Sequence, residues 1–243
     1  MSNPHARDDI DSMNAASVQV SPSHANQPSN VPSGALKLTV LGATGSVGKL
    51  IVSQALGAGH SVTALVQTMP LGGIDPRAAV VCGDATDPEV VDRAVAGSNA
   101  VVSALGHVKG SRNDVLTTAT RNVIAAMHAH GVSRLVVLAP PSVTDPSDRP
   151  GPAYRLANVV MWLAKRSLAR DHQMQARLIE ASDLEWTIVR GAKFTDGPHT
   201  GLYRAGPITK NAGTRVSRAD LADFMLTTAT NGTFIHSAPL VSE

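Results

Sequence analysis

Aromatic residues are scarce in this chain, and none occurs before Tyr154. The first half must therefore build its core from Ala, Val, Leu and Ile, which suit tight helix-on-sheet layers. The seven aromatic side chains (Tyr154, Trp162, Trp186, Phe194, Tyr203, Phe224 and Phe234) either fill a looser second half or wall an apolar cleft. Cysteine occurs once. Cys82 lies in the apolar run Val80-Val81-Cys82-Gly83 and reads as a buried spectator, not a nucleophile. His128 and His130 have the one histidine or cysteine spacing that resembles a ligand pair, but i, i+2 positions on a helix face different ways, so no metal site is expected. Lys and Arg total 21 against 19 Asp and Glu, and no long basic run appears, which argues against a nucleic-acid partner. The longest apolar run in the last long helix, Val159 to Ala164, is far short of the roughly 20 residues that span a bilayer.

Residues 1–34 lack aromatics and lysine and are rich in Ser, Asn, Pro, His and Asp. Such a segment cannot bury enough surface to fold alone and reads as a disordered tail or a misassigned start. It has neither the basic start nor the apolar stretch of a secretory signal, so a cytoplasmic protein is expected, as a monomer or small homo-oligomer.

From residue 35 onward, the 43% hydrophobic content of the chain suits one domain with a full core. The apolar run Lys37-Leu38-Thr39-Val40-Leu41 feeds Gly42-Ala43-Thr44-Gly45-Ser46-Val47-Gly48, with glycines at i, i+3 and i+6. Without a Cβ the chain can turn sharply out of a strand, a pyrophosphate can approach the backbone, and the next helix can pack close to the sheet. That helix, roughly Ser46 to Ala58, aims its free N–H groups at the phosphates. Further strands are expected at Ser61–Val66, Ala78–Gly83, Asn99–Leu105, Arg134–Ala139 and Trp186–Arg190, alternating with helices at Pro88–Ala96, Val115–His130 and Ala153–Ala181. This α/β alternation predicts a single Rossmann-type, doubly wound parallel sheet with a small C-terminal substrate region. Right-handed crossovers then bring the strands' C-terminal ends to one edge, where the ligand crevice belongs.

The glycine turn, the strand end Gly83-Asp84, the run Arg121 to Met127, the block Leu184 to Arg190, Thr195 to Pro198 and Ser217 to Ala222 resemble the atypical short-chain dehydrogenases/reductases of the NmrA-like, NAD(P)H-binding branch. Within that branch the chain is similar to the biliverdin-IX-beta reductase and flavin reductase group, over nearly everything from Leu36 onward. The resemblance implies that Gly42, Thr44, Gly45, Ser46, Val47 and Gly48 hold the pyrophosphate, that Asp84 and Ala85 border the adenine, and that Ser103, Ala104, Leu105 and Gly106 line the nicotinamide ribose. Asp84 also reads as a helix N-cap, although Asp87, just before Pro88, suits that role better.

Relatives often carry arginine where Gln67 ends the second strand. No acidic group stands there to repel a 2′-phosphate, and Gln67, Thr68 and Arg77 offer donors, so NADP is expected, with NAD as the alternative. Ordinary short-chain dehydrogenases use a Tyr-x-x-x-Lys pair in which the ammonium lowers the phenol's pKa. Here Tyr154 is followed four residues on by Asn158, and the usual serine gives way to Ala139-Pro140-Pro141, with Ser142 close by. The resemblance makes His172, in Asp171-His172, the first candidate proton donor; the alternative is a solvent-facing histidine on a basic helix. Lys193, Phe194 and Tyr203 are the substrate-side candidates. A reductase that passes hydride to a flavin-like or conjugated small molecule is expected, against a non-catalytic dinucleotide-binding sensor or an isomerase/epimerase.

Overall fold

The computed structural model describes residues 34–68, 73–108, 110–152, 154–156 and 166–243. The expected tail, Asn158, Trp162 and the first part of the expected helix 153–181 lie outside these residues, apart from Gly34 and Tyr154 to Leu156. Ten strands are described: β1 Lys37–Leu41, β2 Ser61–Val66, β3 Ala79–Cys82, β4 Ala100–Ser103, β5 Arg134–Ala139, β6 Glu185–Gly191, β7 Lys193–Thr195, β8 Arg204–Gly206, β9 Arg215–Ser217 and β10 Leu240–Ser242. The described helices are α1 Gly48–Gly57, α2 Pro88–Val95, α3 Val115–Ala129, α4 Arg166–Glu180 and α5 Arg218–Asn231.

Eight strands form one sheet in the order β3-β2-β1-β4-β5-β6-β10-β8. The first six are parallel, in the strand order of a dinucleotide-binding Rossmann sheet. The chain reverses direction across the β1–β4 neighbours, so the crevice opens there, above Leu41 and Ser103, which pair with one another. β10 continues the sheet parallel to β6, and β8 closes it antiparallel.

Strands β1, β4 and β5 are apolar on both faces because both faces are covered. Helices α1 and α5 pack on one face, over Val40, Ile51, Ala64, Val102 and Val136; α2, α3 and α4 cover the other, over Leu41, Val91, Val101, Leu135 and Ile188. Among the described residues Trp186 is the aromatic member of the second layer's buried core.

Two expectations change here. Cys82 is exposed, because β3 is the outer edge strand and three of its four residues are open to solvent. Its thiol reaches no further than the Gln67 carbonyl, 3.9 Å away. The C-terminal part also does more than border a substrate. β8 and β10 extend the main sheet, while β7 and β9 form a separate parallel pair with Phe194 opposite Val216.

Helix α5 is set by its ends. The Ser217 side chain accepts from the Asp220 amide at the start, and Gly232 adopts the left-handed conformation at the finish. Asp220 in turn accepts from the amides of Thr200 and Gly201 and from the Thr200 hydroxyl, tying the 200–201 turn to the helix.

Candidate active site

The glycine turn sits at the C-terminal end of β1 and carries two kinds of glycine. Gly42 has φ +71°, and a Cβ on it would lie 2.6 Å from the Ala104 carbonyl oxygen. Gly48 is as confined, with a Cβ 2.1 Å from the Gly42 oxygen. These two let α1 approach the sheet. Gly45 differs: its Cβ would meet the Gly42 oxygen alone, at 3.1 Å, and with Thr44 and Ser46 it is exposed. Its amide donates to that same oxygen at 2.9 Å, closing the turn. Val47 and Gly48 are buried.

No side chain caps α1, and no acidic residue stands in its first turn, so the positive end of the helix faces the exposed Thr44-Gly45-Ser46 segment uncompensated. This is the cradle a pyrophosphate needs, which is how a dinucleotide fits these residues.

Around it the other expected cofactor positions line the same edge. Gln67 is exposed at the end of β2. Asp84 follows β3, exposed, with Oδ1 accepting from the Thr86 amide at 2.8 Å. The N-cap of α2 is Asp87, whose side chain accepts from the Glu89 amide at 2.9 Å, leaving Asp84 outside that role. Ala85 is buried, and its carbonyl accepts from the Asn122 side chain at 3.2 Å. Ser103 ends β4, and the Ala104 amide donates to the Leu41 carbonyl, holding the Ala104-Leu105-Gly106 segment against the glycine turn.

Arg77 does not join them. Thr63 pairs with Ala79, so Arg77 stands level with Ser61 at the strands' N-terminal ends, where it is ion-paired to Asp75 at 2.7 Å. It lines a shallow depression with Lys37 and His60 on the edge opposite the crevice.

Tyr154 donates its hydroxyl to the Pro141 carbonyl at 2.9 Å. Ser142, in the same loop, is half-buried. The loop is latched from below by Arg190 of β6, which is fully buried and donates to both oxygens of Asp148, at 2.5 and 2.9 Å, and to the Val143 carbonyl. Asp148 also accepts from the Ile208 amide. Burial alone would raise the Asp148 carboxyl, but Arg190 and the amides outweigh it and hold the group below the usual carboxylate range.

His172 is half-buried and faces inward. Burial, and then the neighbouring His107, push its pKa down to about 4. At neutral pH it is therefore an uncharged imidazole and not the charged proton donor that the resemblance implies, nor is it the solvent-facing histidine of the alternative reading. Asp171 is buried and has a separate task. Its carboxylate accepts from the Leu116 and Thr117 amides at 2.9 and 3.0 Å, capping α3, whose own N-cap residue Asp114 makes no side-chain cap.

The substrate-side candidates separate. Lys193 is exposed at the start of β7. Phe194 packs over Gly191, where a Cβ would lie 2.4 Å from its ring, with the Arg218 guanidinium 6.0 Å from the ring centroid. Tyr203 is in the core, a correction to its expected place at the substrate. Its ring meets Phe224 edge-on at 5.7 Å, and Phe224 meets Phe234 at 5.3 Å. The Tyr203 hydroxyl donates to Asp223 at 2.7 Å, and burial, then that carboxylate, raise its pKa far out of the working range. The residue that sequence reasoning missed is His107, directly after Gly106, whose ring lies 5.7 Å from that of His172.

Among the described residues no three His, Cys, Asp or Glu side chains group as metal ligands, and no helix is long and apolar enough to cross a membrane. Residues 42–232 match a family described as NAD(P)H-binding. The chain is 30% identical over 188 residues to a 3-diazoavenalumate denitrifying reductase of a Streptomyces species, covering 70% of this chain and 60% of that protein. It is 34% identical over 128 residues to a 2-alkyl-3-oxoalkanoate reductase of Stenotrophomonas maltophilia, covering 47% of this chain and 36% of that one. The chain thus spans less than two thirds of the length of either curated relative. In fold it is similar to a short-chain dehydrogenase/reductase of Veillonella parvula solved with NADP (TM-score 0.70, 16% identity, 86% of this chain and 94% of that one). It is likewise similar to ChuY, an anaerobillin reductase of Escherichia coli O157:H7 (TM-score 0.68, 21% identity, 85% and 97%).

Proposed function

The chain belongs to the NAD(P)H-binding family, and on that premise we propose that it is an NAD(P)H-dependent reductase of a flavin-like or otherwise conjugated small molecule. The observation that carries this reading is the state of Tyr154. Its hydroxyl is engaged by the Pro141 carbonyl, and the residue four positions on is Asn158 where a short-chain dehydrogenase keeps lysine. Position 158 therefore brings no ammonium, and the Tyr-x-x-x-Lys pair through which an ordinary dehydrogenase exchanges a proton between alkoxide and ketone is not encoded. A ring or diazo-type acceptor asks less of the protein, because its charge after reduction is delocalised and positioning supplies most of the rate.

When bound, the dinucleotide supplies the hydride. The chain's own residues bind and orient: the Gly42–Gly48 turn and the start of α1 take the pyrophosphate, Ser103 to Gly106 the ribose on the nicotinamide side, and Asp84 and Ala85 the adenine. Gln67 is neutral and exposed at the 2′ position, which admits a phosphate, and NADP is the expected form. Lys193 and Phe194 border the open side as substrate contacts. The curated relatives support a reductase by their names, which include an oxo and a diazo substrate.

Anaerobic mixing of the protein and NADPH with a panel of flavins, quinones and tetrapyrroles, followed at the nicotinamide absorbance band, tests the reading. Oxidation with at least one conjugated acceptor is expected. Turnover of simple ketones alone, or of no acceptor in the panel, overturns it.

A further inference from the structure

Three groups meet between the loop after β4 and the start of α3. His107 follows the Ser103–Gly106 segment, and its Nε2 lies 3.1 Å from Asp171 Oδ2, with the two side chains 10% and 1% exposed. The contact is at ion-pair distance but is not aligned as a hydrogen bond. His172, next to Asp171 on α4, presents its edge to His107, with centroids 5.7 Å apart and planes at 72°. Its Nδ1 is buried without a hydrogen-bond partner.

These contacts restrict how many protons the group can hold. A carboxylate offers lone pairs alone, so a hydrogen on the His107 Nε2 is what makes the 3.1 Å approach to Asp171 attractive. A proton added to the His107 ring is then stabilised by the carboxylate at 3.1 Å. A second, on His172, would set two imidazolium rings side by side in a half-buried site, which like-charge repulsion and lost hydration both oppose. Besides His107, the groups that act on His172 are Asp171 and Gln175; both favour its charged form, but burial and His107 together outweigh them. Asp171 is itself fixed by the α3 amides and Thr117, so the pair cannot drift apart without releasing the helix start.

We propose that His107, Asp171 and His172 form a coupled unit that carries one proton beside the nicotinamide end of the site, with His107 its acid and Asp171 its positioning residue. The assignment rests on the reductase reading for its use. There, a hydride adds to one atom of the conjugated acceptor, and the electron pair displaced onto a neighbouring heteroatom takes the His107 proton. The neutral His107 is then recharged from solvent, so that one hydride and one proton reach the acceptor per cycle.

The unit itself is tested without cofactor or turnover, by histidine NMR titration of the whole protein, with ring signals assigned through His107→Asn and His172→Asn. His172 is expected to titrate near pH 4 in the wild type, and His107→Asn to raise that midpoint. Asp171→Asn should lower the His172 midpoint further; because it also removes a helix cap, the His107→Asn result stands as the independent check. Two independent titrations near the ordinary histidine midpoint, unmoved by either substitution, overturn the coupled unit. The proton-source role is read from the pH profile of turnover with an acceptor that the wild type reduces. Turnover should fall as pH rises, and His107→Asn should flatten that limb while leaving dinucleotide affinity unchanged. A His107→Asn profile like the wild type's overturns the role although the reductase reading stands. Coupled titration in a protein that oxidises NADPH with no acceptor overturns the reductase reading instead.

Discussion

The three glycines of the 42–48 turn look alike in the sequence and should fail in two different ways when each is replaced by alanine. At Gly42 the new side chain meets both a backbone conformation that costs about 1–2 kcal/mol for an L-residue and the Ala104 carbonyl at 2.6 Å. At Gly48 the conformation is ordinary, but the methyl would sit 2.1 Å from a backbone oxygen, so α1 must move off the sheet. Overpacking against fixed backbone adds about 1–3 kcal/mol, and we expect each variant to lose about 3 kcal/mol. In a domain of this size that lowers the melting temperature by roughly 6–12 °C. Gly45→Ala meets a single contact at 3.1 Å, which a few tenths of an ångström relieve, so its stability should stay within about 1 kcal/mol of wild type. Its methyl instead stands on the exposed face of the turn, and NADPH affinity should fall at least about tenfold, or about 1.4 kcal/mol. Thermal melts and fluorescence titration of the same three proteins decide the matter. If Gly45→Ala binds NADPH as wild type does, or if Gly42→Ala melts with wild type, the division of the turn into packing and binding glycines is wrong.

Other consequences can be checked alongside. Because the His172 pKa is lowered from an ordinary 6.5 to about 4, the unfolded chain takes up a proton that the folded one resists. Its stabilising effect is thus complete above pH 6.5 and lost as pH falls towards 4; at about 1.4 kcal/mol per unit, denaturant melts should show His172→Asn escaping up to about 3 kcal/mol of the wild type's acid loss. Equal losses in both proteins would refute this. Gln67→Arg should strengthen NADPH binding by about 1.5–3 kcal/mol and barely move NADH, as read by parallel titrations; a common shift would place Gln67 away from the 2′ position. Tyr203→Phe, which removes a hydroxyl bonded to Asp223, should cost about 1 kcal/mol in a chemical melt and leave acceptor KM unaltered. A changed KM would return Tyr203 to the substrate side.

How much of this could be read from the sequence depended on how local the causes were. Strands β2 and β5 were legible to the residue, since Ser61 to Val66 and Arg134 to Ala139 are mostly apolar runs that each start on a polar residue and end before Gln67 and Pro140. Helix α2 followed from Asp87 and Pro88. Helix α5 escaped because it is buried on much of its circumference, which blurs the polar–apolar period; its signals were the caps Ser217 and Gly232. Cys82 was misjudged for a topological reason. Its run is as apolar as its neighbours', and only strand order shows that β3 lies at the sheet's edge. Arg77 was misplaced for want of register, which sets it level with Ser61 and away from Gln67. His107 carries no motif, and its relation to Asp171 spans 64 positions of chain that no local pattern connects.

The Arg190–Asp148 latch has an evolutionary corollary. One buried cation gathers residues 143, 148 and 208 onto β6, and no second basic group among these contacts can stand in for it. Losing either partner leaves an uncompensated charge in the interior, a cost of about 3–5 kcal/mol, whereas replacing both with apolar residues of matching volume is close to neutral. The two positions should therefore change together among homologues or not at all. Drift at one must wait for drift at the other, and the loop that carries Tyr154's acceptor carbonyl is held in place by that historical constraint as much as by its own sequence.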